Sequence, residues 1–523
     1  MKVLLLHPDR DFDFNSPLRE PFRRDPLPDW RAQLMPAEKA FVQDLELETL
    51  LRAMAGDDEF LHRVTRRALL SAFRNDPETI LYRQRALKDC LKNSETVRTL
   101  YELAFQTIEG SRKQSWGLAS HFPSSMLYNG ISTMEFLLGR LKTLREFSHQ
   151  HRARFESEAF TRLFEMLVTE LNEDYLTSID HYLEHLKFRR GILITAELGE
   201  WSESVNYVLR LVRGKDPNWF QRLMGRRPPG YTFRLHERDE AGSRILGDMR
   251  QRAIGRVAVA LAQSADHVLS FFHMLRTELA FYVGCLRLYD QLAAKEEPTC
   301  FPAPTLPGTR RHSSTGLYDV CLSLRMPGRV VGNATAADNK NLVIITGANQ
   351  GGKSSFLRSI GLAQVMMQSG MFVPAQAFRA ELCPGLLTHY KREEDAAMES
   401  GKLDEELARM SAIAERLGPN SIVLFNESFA ATNEREGSEI ARQVVDALLA
   451  KHVKVFFVTH LYEFAHGFYQ QKMDDALFLR PERHDDGTRT FRMLAGEPLQ
   501  TSYGEDLYKE VFTDKAIELS PNL

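Results

Sequence analysis

The stretch "LVIITGANQGGKSSFL", Leu342–Leu357, decides the fold. Leu342 to Ile345 are apolar and mostly β-branched, as expected of a strand buried on both faces. Gly347 follows, then four residues, then Gly352-Lys353-Ser354. Strand, glycine loop and helix start in that order make a phosphate-cradling loop. Glycines such as Gly347, Gly351 and Gly352 let the backbone turn its N–H groups inward. The next helix presents its positive end, Lys353 can reach the β- and γ-phosphate oxygens, and the Ser354 hydroxyl can ligate Mg²⁺. The phosphates of a nucleotide and Mg²⁺ are therefore the expected ligands.

Two further runs end in polar residues: "SIVLFNE" (Ser421–Glu427) and "VKVFFVTH" (Val453–His460). Helical patterns separate them, so a largely parallel α/β sheet is expected. Asn426-Glu427 stands where nucleotide hydrolases of this layout usually carry Asp-Glu. There the strand-end Asp holds Mg²⁺, and the Glu orients or deprotonates the attacking water. Asn426 keeps one carbonyl acceptor but loses a negative charge. That resembles losing an outer partner of the metal, a handicap on the order of 10–100-fold. Glu427 is intact, and His460 is placed to sense the γ-phosphate or hold the water. Slow ATP hydrolysis is the expectation, with hydrolysis-dead ATP binding as its rival.

Outside this region the chain reads as a soluble globular protein of several domains. It has 523 residues, 43% apolar and 26% charged, with a formal net charge of −3. Cys90, Cys285, Cys300, Cys321 and Cys383 stand singly, in no zinc or disulfide spacing, so a reducing cytoplasmic compartment is expected. No run of apolar residues is long enough for a membrane span. Residues 1–40 look irregular apart from a small strand expected in "MKVLLLHPD". A helical domain is expected over 41–295: Leu47, Leu50, Leu51 and Met54 share a face before Gly56, and Phe160, Phe164, Leu167 and Leu171 form a later stripe. "GILITAELGEW", "SVNYVLRLV" and "GYTFRLHE" read as strands interrupting it near 190–240. Periodicity from Gly242 through Val257, Leu261, Val268, Phe272 and Leu279 to Leu292 gives a rod of roughly 70 Å. Residues 296–316 are dense in Pro, Gly and Ser and read as a linker, leaving 317–523 as the α/β domain.

The segment Leu342–Ala375 closely resembles the P-loop region of the MutS family of DNA mismatch-repair ATPases. "FNESFAATNEREGSEIA", "FFVTHLYEF" and "TSYGEDLYKEVF" resemble later elements of that family's ATPase domain, in the same order. "DLELETLLRAM" and "ILYRQRALKDCL" are more weakly similar to its helical core. The resemblance implies an ABC-class P-loop ATPase domain preceded by a helical core and lever domain with a small β insertion. It implies that ATP is the nucleotide and that Asn349, Gly352, Lys353, Ser354 and Ser355 contact phosphate or magnesium. It also puts Asn333, within Val330–Asn333, near the adenine, where the family's usual aromatic residue is missing. "MESGKLDEELARM" (Met398–Met410) falls at the signature segment, with Ser400 as the contact to nucleotide in the partner subunit. Met398–Met410 also reads as a charged solvated helix. By the same resemblance the mismatch-reading and connector domains are expected to be missing before residue 40.

From Lys187 to Arg256 there are fifteen Lys/Arg against eight Asp/Glu. Arg222, Arg226, Arg227 and Arg234 lie among Trp219, Phe220, Tyr231 and Phe233, a mixture suited to gripping a nucleic-acid backbone or to a solvated loop over a small core. The combined expectation is a homodimeric ATPase coupling nucleotide-driven closure to DNA structure. The alternative is an ATP-binding module that acts on protein partners.

Overall fold

The computed structural model describes residues 1–10, 36–114, 122–189, 191–200, 204–210, 234–236, 238–348, 350–392, 401–484 and 488–499. Its first part is helical: α1 (Pro36–Asp44), α2 (Leu47–Ala55), α3 (Glu59–Leu70), α4 (Pro77–Lys92), α5 (Ser94–Gln114), α6 (Pro123–His151), α7 (Glu158–Glu170), α8 (Glu173–Leu186) and α9 (Glu240–Ala293). Local chemistry sets the ends. Gly56 closes α2 at φ 60°, donating its N–H to the Arg52 carbonyl at 2.7 Å. Asp58 caps α3 through the Phe60 and Leu61 N–H groups, and Asp76 caps α4 ahead of Pro77.

Helix α9 runs for 54 residues, about 80 Å at 1.5 Å per residue. Leu279 to Leu286 are buried on every face because α9 is the central rod of the bundle. Its first half carries a small separate cluster in which Leu127, Ile131, Ile254 and Ala258 pack with Leu209. Leu209 belongs to β2 (Ser204–Arg210), which pairs antiparallel with β1 (Leu193–Leu198). The expected β insertion is therefore present as a two-stranded sheet beside the rod. The third run, "GYTFRLHE", falls largely outside the described residues, and Arg234–His236 carry no strand.

Beyond α9 come β3 (Ala303–Thr305), β4 (His312–Leu317), α10 (Val320–Arg325), β5 (Asn333–Ala336), β6 (Leu342–Ile345), α11 (Lys353–Gln368), β7 (Ala377–Glu381) and β8 (Leu386–Tyr390). They are followed by α12 (Lys402–Ala414), β9 (Ile422–Asn426), α13 (Glu434–Ala450), β10 (Lys454–Val458), α14 (Tyr462–Gln470), β11 (Ala476–Arg483) and β12 (Arg489–Ala495). A six-stranded sheet has the order β12-β11-β6-β10-β9-β8, parallel throughout except for β12. The other sheet has the order β3-β7-β4-β5. Alternation along the buried strands divides the core. Val343, Ile345, Leu424 and Phe456 join the helical bundle on one face, while Leu342, Ile344, Val423 and Phe457 pack with α13 and α14 on the other.

Two expectations need correction. Residues 1–10 form no strand. Leu5 and Leu6 are fully buried, and their N–H groups donate to Glu278 Oε2 at 2.5 and 3.0 Å. The carbonyls of Leu4, Leu5 and Leu6 accept from Tyr82 OH, Tyr282 OH and Arg83 Nε at 2.6, 2.6 and 2.7 Å. Side chains of α4 and α9 thus satisfy a backbone that would otherwise need a sheet ladder. Residues 296–316 are not a bare linker either. They contain β3 and most of β4, which pair with β7 some seventy residues later, so the Pro-rich stretch is woven into the α/β unit. No helix among the described residues is long and apolar enough to cross a membrane.

Candidate functional site

Register builds the site. Val458 of β10 pairs with Ile345 of β6 on one side and with Asn426 of β9 on the other, so three strands end at one level. The Thr459 N–H donates to the Ile345 carbonyl at 3.0 Å, and the Glu427 N–H to the Val458 carbonyl at 2.9 Å. The glycine loop, Glu427 and His460 therefore emerge along the same carboxyl edge of a parallel sheet, where α/β proteins place their ligands.

The loop is tightly covered. Gly347 has φ 120°, and a Cβ on Gly347 or Gly351 would come within 2.7 or 2.8 Å of the Pro481 ring. Gly352, at φ 84°, starts α11. Lys353 is 4% exposed, and its Nζ donates to the Gly347 and Ala348 carbonyls at 2.8 Å each. Burial pushes the Lys353 pKa down, and the Glu427 carboxylate pulls it up. The lysine is thus a desolvated cation held by two weak acceptors, which a bound anion can replace with stronger charge-assisted bonds. Ser354 Oγ donates to Asn426 Oδ1 at 3.0 Å, so the end of β9 is in direct contact with the loop serine. Two oxygens 3.0 Å apart suit neighbouring positions around an octahedral Mg²⁺ with Mg–O of about 2.1 Å.

The expected residues divide clearly. Gly347, Gly351, Gly352, Lys353, Ser354, Ser355, Asn426, Glu427 and His460 share the sheet edge and the start of α11, and His460 is exposed. Asn333 is 7% exposed, with Nδ2 donating to the Phe491 carbonyl at 3.2 Å and Oδ1 accepting from the Met493 N–H at 2.7 Å, so its side-chain amide is committed to β12. Asn349, Ser400, Arg222, Arg226 and Arg227 lie outside the described residues; Arg234 is exposed.

Sequence reading missed the β11–β12 hairpin. Arg480, Pro481, Arg483, Arg489 and Phe491 line a cleft against Thr346, Gly347 and Gly351. Arg489 Nη1 donates to Gln350 Oε1 at 2.7 Å, and Phe491 is 45% exposed at φ 59°. The only available signal was the density of Arg in "FLRPERHDDGTRTFR" (Phe478–Arg492) just before the Ser-Tyr-Gly segment.

The fold and the site define an α/β protein with a cationic, glycine-lined cradle at the carboxyl edge of its sheet. Residues 75–295 match the MutS2 N-terminal domain, and residues 343–517 match MutS domain V. Among curated relatives, the DNA mismatch repair protein MutS of Leuconostoc citreum is 29% identical over 202 residues, 38% of this chain and 23% of that protein. MutS protein homolog 4 of Mus musculus is 31% identical over 153 residues, 29% of this chain and 15% of that protein. Endonuclease MutS2 of Lacticaseibacillus casei is 29% identical over 236 residues, 43% of this chain and 30% of that protein. The chain belongs to the MutS family. It spans less than a third of the length of each of these relatives.

Proposed function

We propose that the chain is a slow, Mg²⁺-dependent ATPase whose nucleotide cycle closes a homodimer and changes its grip on DNA. The convergence of Lys353, Asn426, Glu427 and His460 on one sheet edge carries this proposal. In it, Gly347–Ser355 form the P-loop: the loop N–H groups and Lys353 hold the β- and γ-phosphates, and the hairpin cleft takes the rest of the nucleotide. Mg²⁺, when bound, neutralises charge developing on the phosphates, with Ser354 and Asn426 as its protein oxygens. Glu427 orients or deprotonates the attacking water, and His460 senses the γ-phosphate. Ser400 completes the partner subunit's site, which makes dimer closure nucleotide-dependent.

Because Asn426 already holds Ser354, restoring a carboxylate changes charge more than geometry. Asn426→Asp is expected to raise turnover about 10–100-fold, checked by steady-state phosphate release. An unchanged rate would show that the neutral amide is already compensated.

The long rod and the β1–β2 sheet support the second half of the proposal. The excess of seven Lys/Arg over 187–256, fifteen against eight, is where we place DNA, read by backbone charge and shape rather than base sequence. Neutralising Arg226 and Arg227 together is expected to lower the salt slope of DNA affinity by about 2. A fluorescence-anisotropy salt titration checks this, and an unchanged slope moves the contact elsewhere. Cytoplasmic localisation belongs to the same proposal.

A further inference from the structure

Directly after Asn426 the backbone takes an unusual path. Glu427 and Phe429 both lie in the left-handed region, at φ 54° and 61°, where L side chains are disfavoured by about 1–2 kcal/mol each. Such a loop persists only if its surroundings hold it.

The holders come from α12 and β8. The Phe429 N–H donates to Glu406 Oε2 at 2.8 Å. Glu406 is 5% exposed, although it sits in the charged run Asp404-Glu405-Glu406. His389, on β8, forms the second strut. Burial pushes its pKa down to about 4, so the ring is neutral near pH 7 and carries one N–H. Its Nε2 lies 3.0 Å from the Glu406 carbonyl, which can only accept, so Nε2 bears the proton. Nδ1 faces the Ser428 hydroxyl at 2.7 Å, whose one proton is shared between Nδ1 and the His389 carbonyl at 2.5 Å. The ring also stacks on Phe429, with centroids 5.3 Å apart and planes at 20°. Glu406 thus grips the Glu427 loop twice, directly through its carboxylate and indirectly through its carbonyl and His389.

We infer that Glu406 is a positioning residue for Glu427, tying the helix that carries most of the signature segment to the loop carrying the base. This rests on the ATPase proposal above. Helix α12 begins at Lys402, two residues after Ser400, the residue assigned to the partner's nucleotide, so a shift of α12 on dimer closure reaches Glu427 through this tether. Phe429 packs in the core on the α13–α14 face of the sheet, whereas Phe356 and Leu357 at the start of α11 pack in the core on the other face, so the tether should set turnover rather than ATP binding.

The test compares Glu406→Ala with Glu406→Gln in the full chain. It measures kcat, affinity for a fluorescent ATP analogue, and hydrogen exchange of the Phe429 amide. Gln keeps an acceptor oxygen at the same reach and should stay within about threefold of wild type in all three. Ala should lower kcat about tenfold or more while affinity changes less than about threefold, and should speed exchange at Phe429. Wild-type kcat in the Ala variant with Phe429 still protected overturns the inference. Equal loss of ATP binding in both variants also overturns it, since that marks a purely structural role. If wild type binds ATP without turning it over, the ATPase proposal fails separately. The Phe429 exchange then decides the tether alone: faster exchange in Ala but not in Gln supports it, and unchanged exchange overturns it.

Discussion

Glu427→Gln is expected to bind ATP normally and to lower turnover by about 10²–10⁴-fold. Gln matches Glu in shape, and the Glu427 N–H bond to the Val458 carbonyl is made by the backbone, so the loop survives the change. What disappears is the carboxylate's ability to take a proton or orient water. Burial holds the Lys353 pKa down and that same carboxylate partly offsets it, so the two charges lie within electrostatic reach across the cradle. Removing one leaves the lysine free for phosphate, and ATP affinity should hold or rise slightly. A fluorescent-nucleotide titration beside single-turnover hydrolysis separates the two effects. Turnover that survives the substitution removes Glu427 as the base.

Arg83→Ala is expected to destabilise the fold by about 3–5 kcal/mol, the range for removing one member of a buried charged network. Arg83 is fully buried, and burial pushes its pKa down to about 10, so it remains a cation at neutral pH. It donates to the Leu6 carbonyl at 2.7 Å and to the Ser369 carbonyl at 3.3 Å, and its Nη2 lies 2.8 Å from His7 Nε2. One side chain therefore ties the N-terminal segment, α4 and the far end of α11 together. Burial, then Arg83, hold the His7 pKa at about 3 against 6.5, so its contribution to stability is present above pH 6.5 and is lost as pH falls toward 3. Alanine leaves two buried carbonyls without their donor and a cavity between the helical and α/β parts. A urea titration should show the first unfolding transition at clearly lower denaturant. An unchanged midpoint would mean that water replaces the guanidinium without penalty.

Much of the α/β half was legible because its signals are local. β6, β9 and β10 are short, wholly buried apolar runs ending in Gly or polar residues, and the glycine spacing before Lys353 is fixed by phosphate geometry. The errors share a cause: partners distant in sequence. "VLLL" near the start resembles a strand because nothing nearby reveals that Glu278 and Tyr282 will satisfy its backbone. Pro-rich 296–316 resembles a linker because β7, which pairs with β3 and β4, comes much later. Glu406 resembles its exposed acidic neighbour Asp404 because only the folded chain brings Phe429 to it. Asn333, set near the adenine by resemblance alone, has both ends of its amide bound to β12, a pairing no local signal reveals.

Steady-state ATP turnover by the full chain tests the central claim most directly, with Mg²⁺ alone and with duplex, branched or single-stranded DNA. The expected result is slow turnover that Lys353→Ala abolishes and that at least one form of DNA changes. Turnover unaffected by Lys353→Ala, or no binding of Mg²⁺–ATP at all, would contradict it.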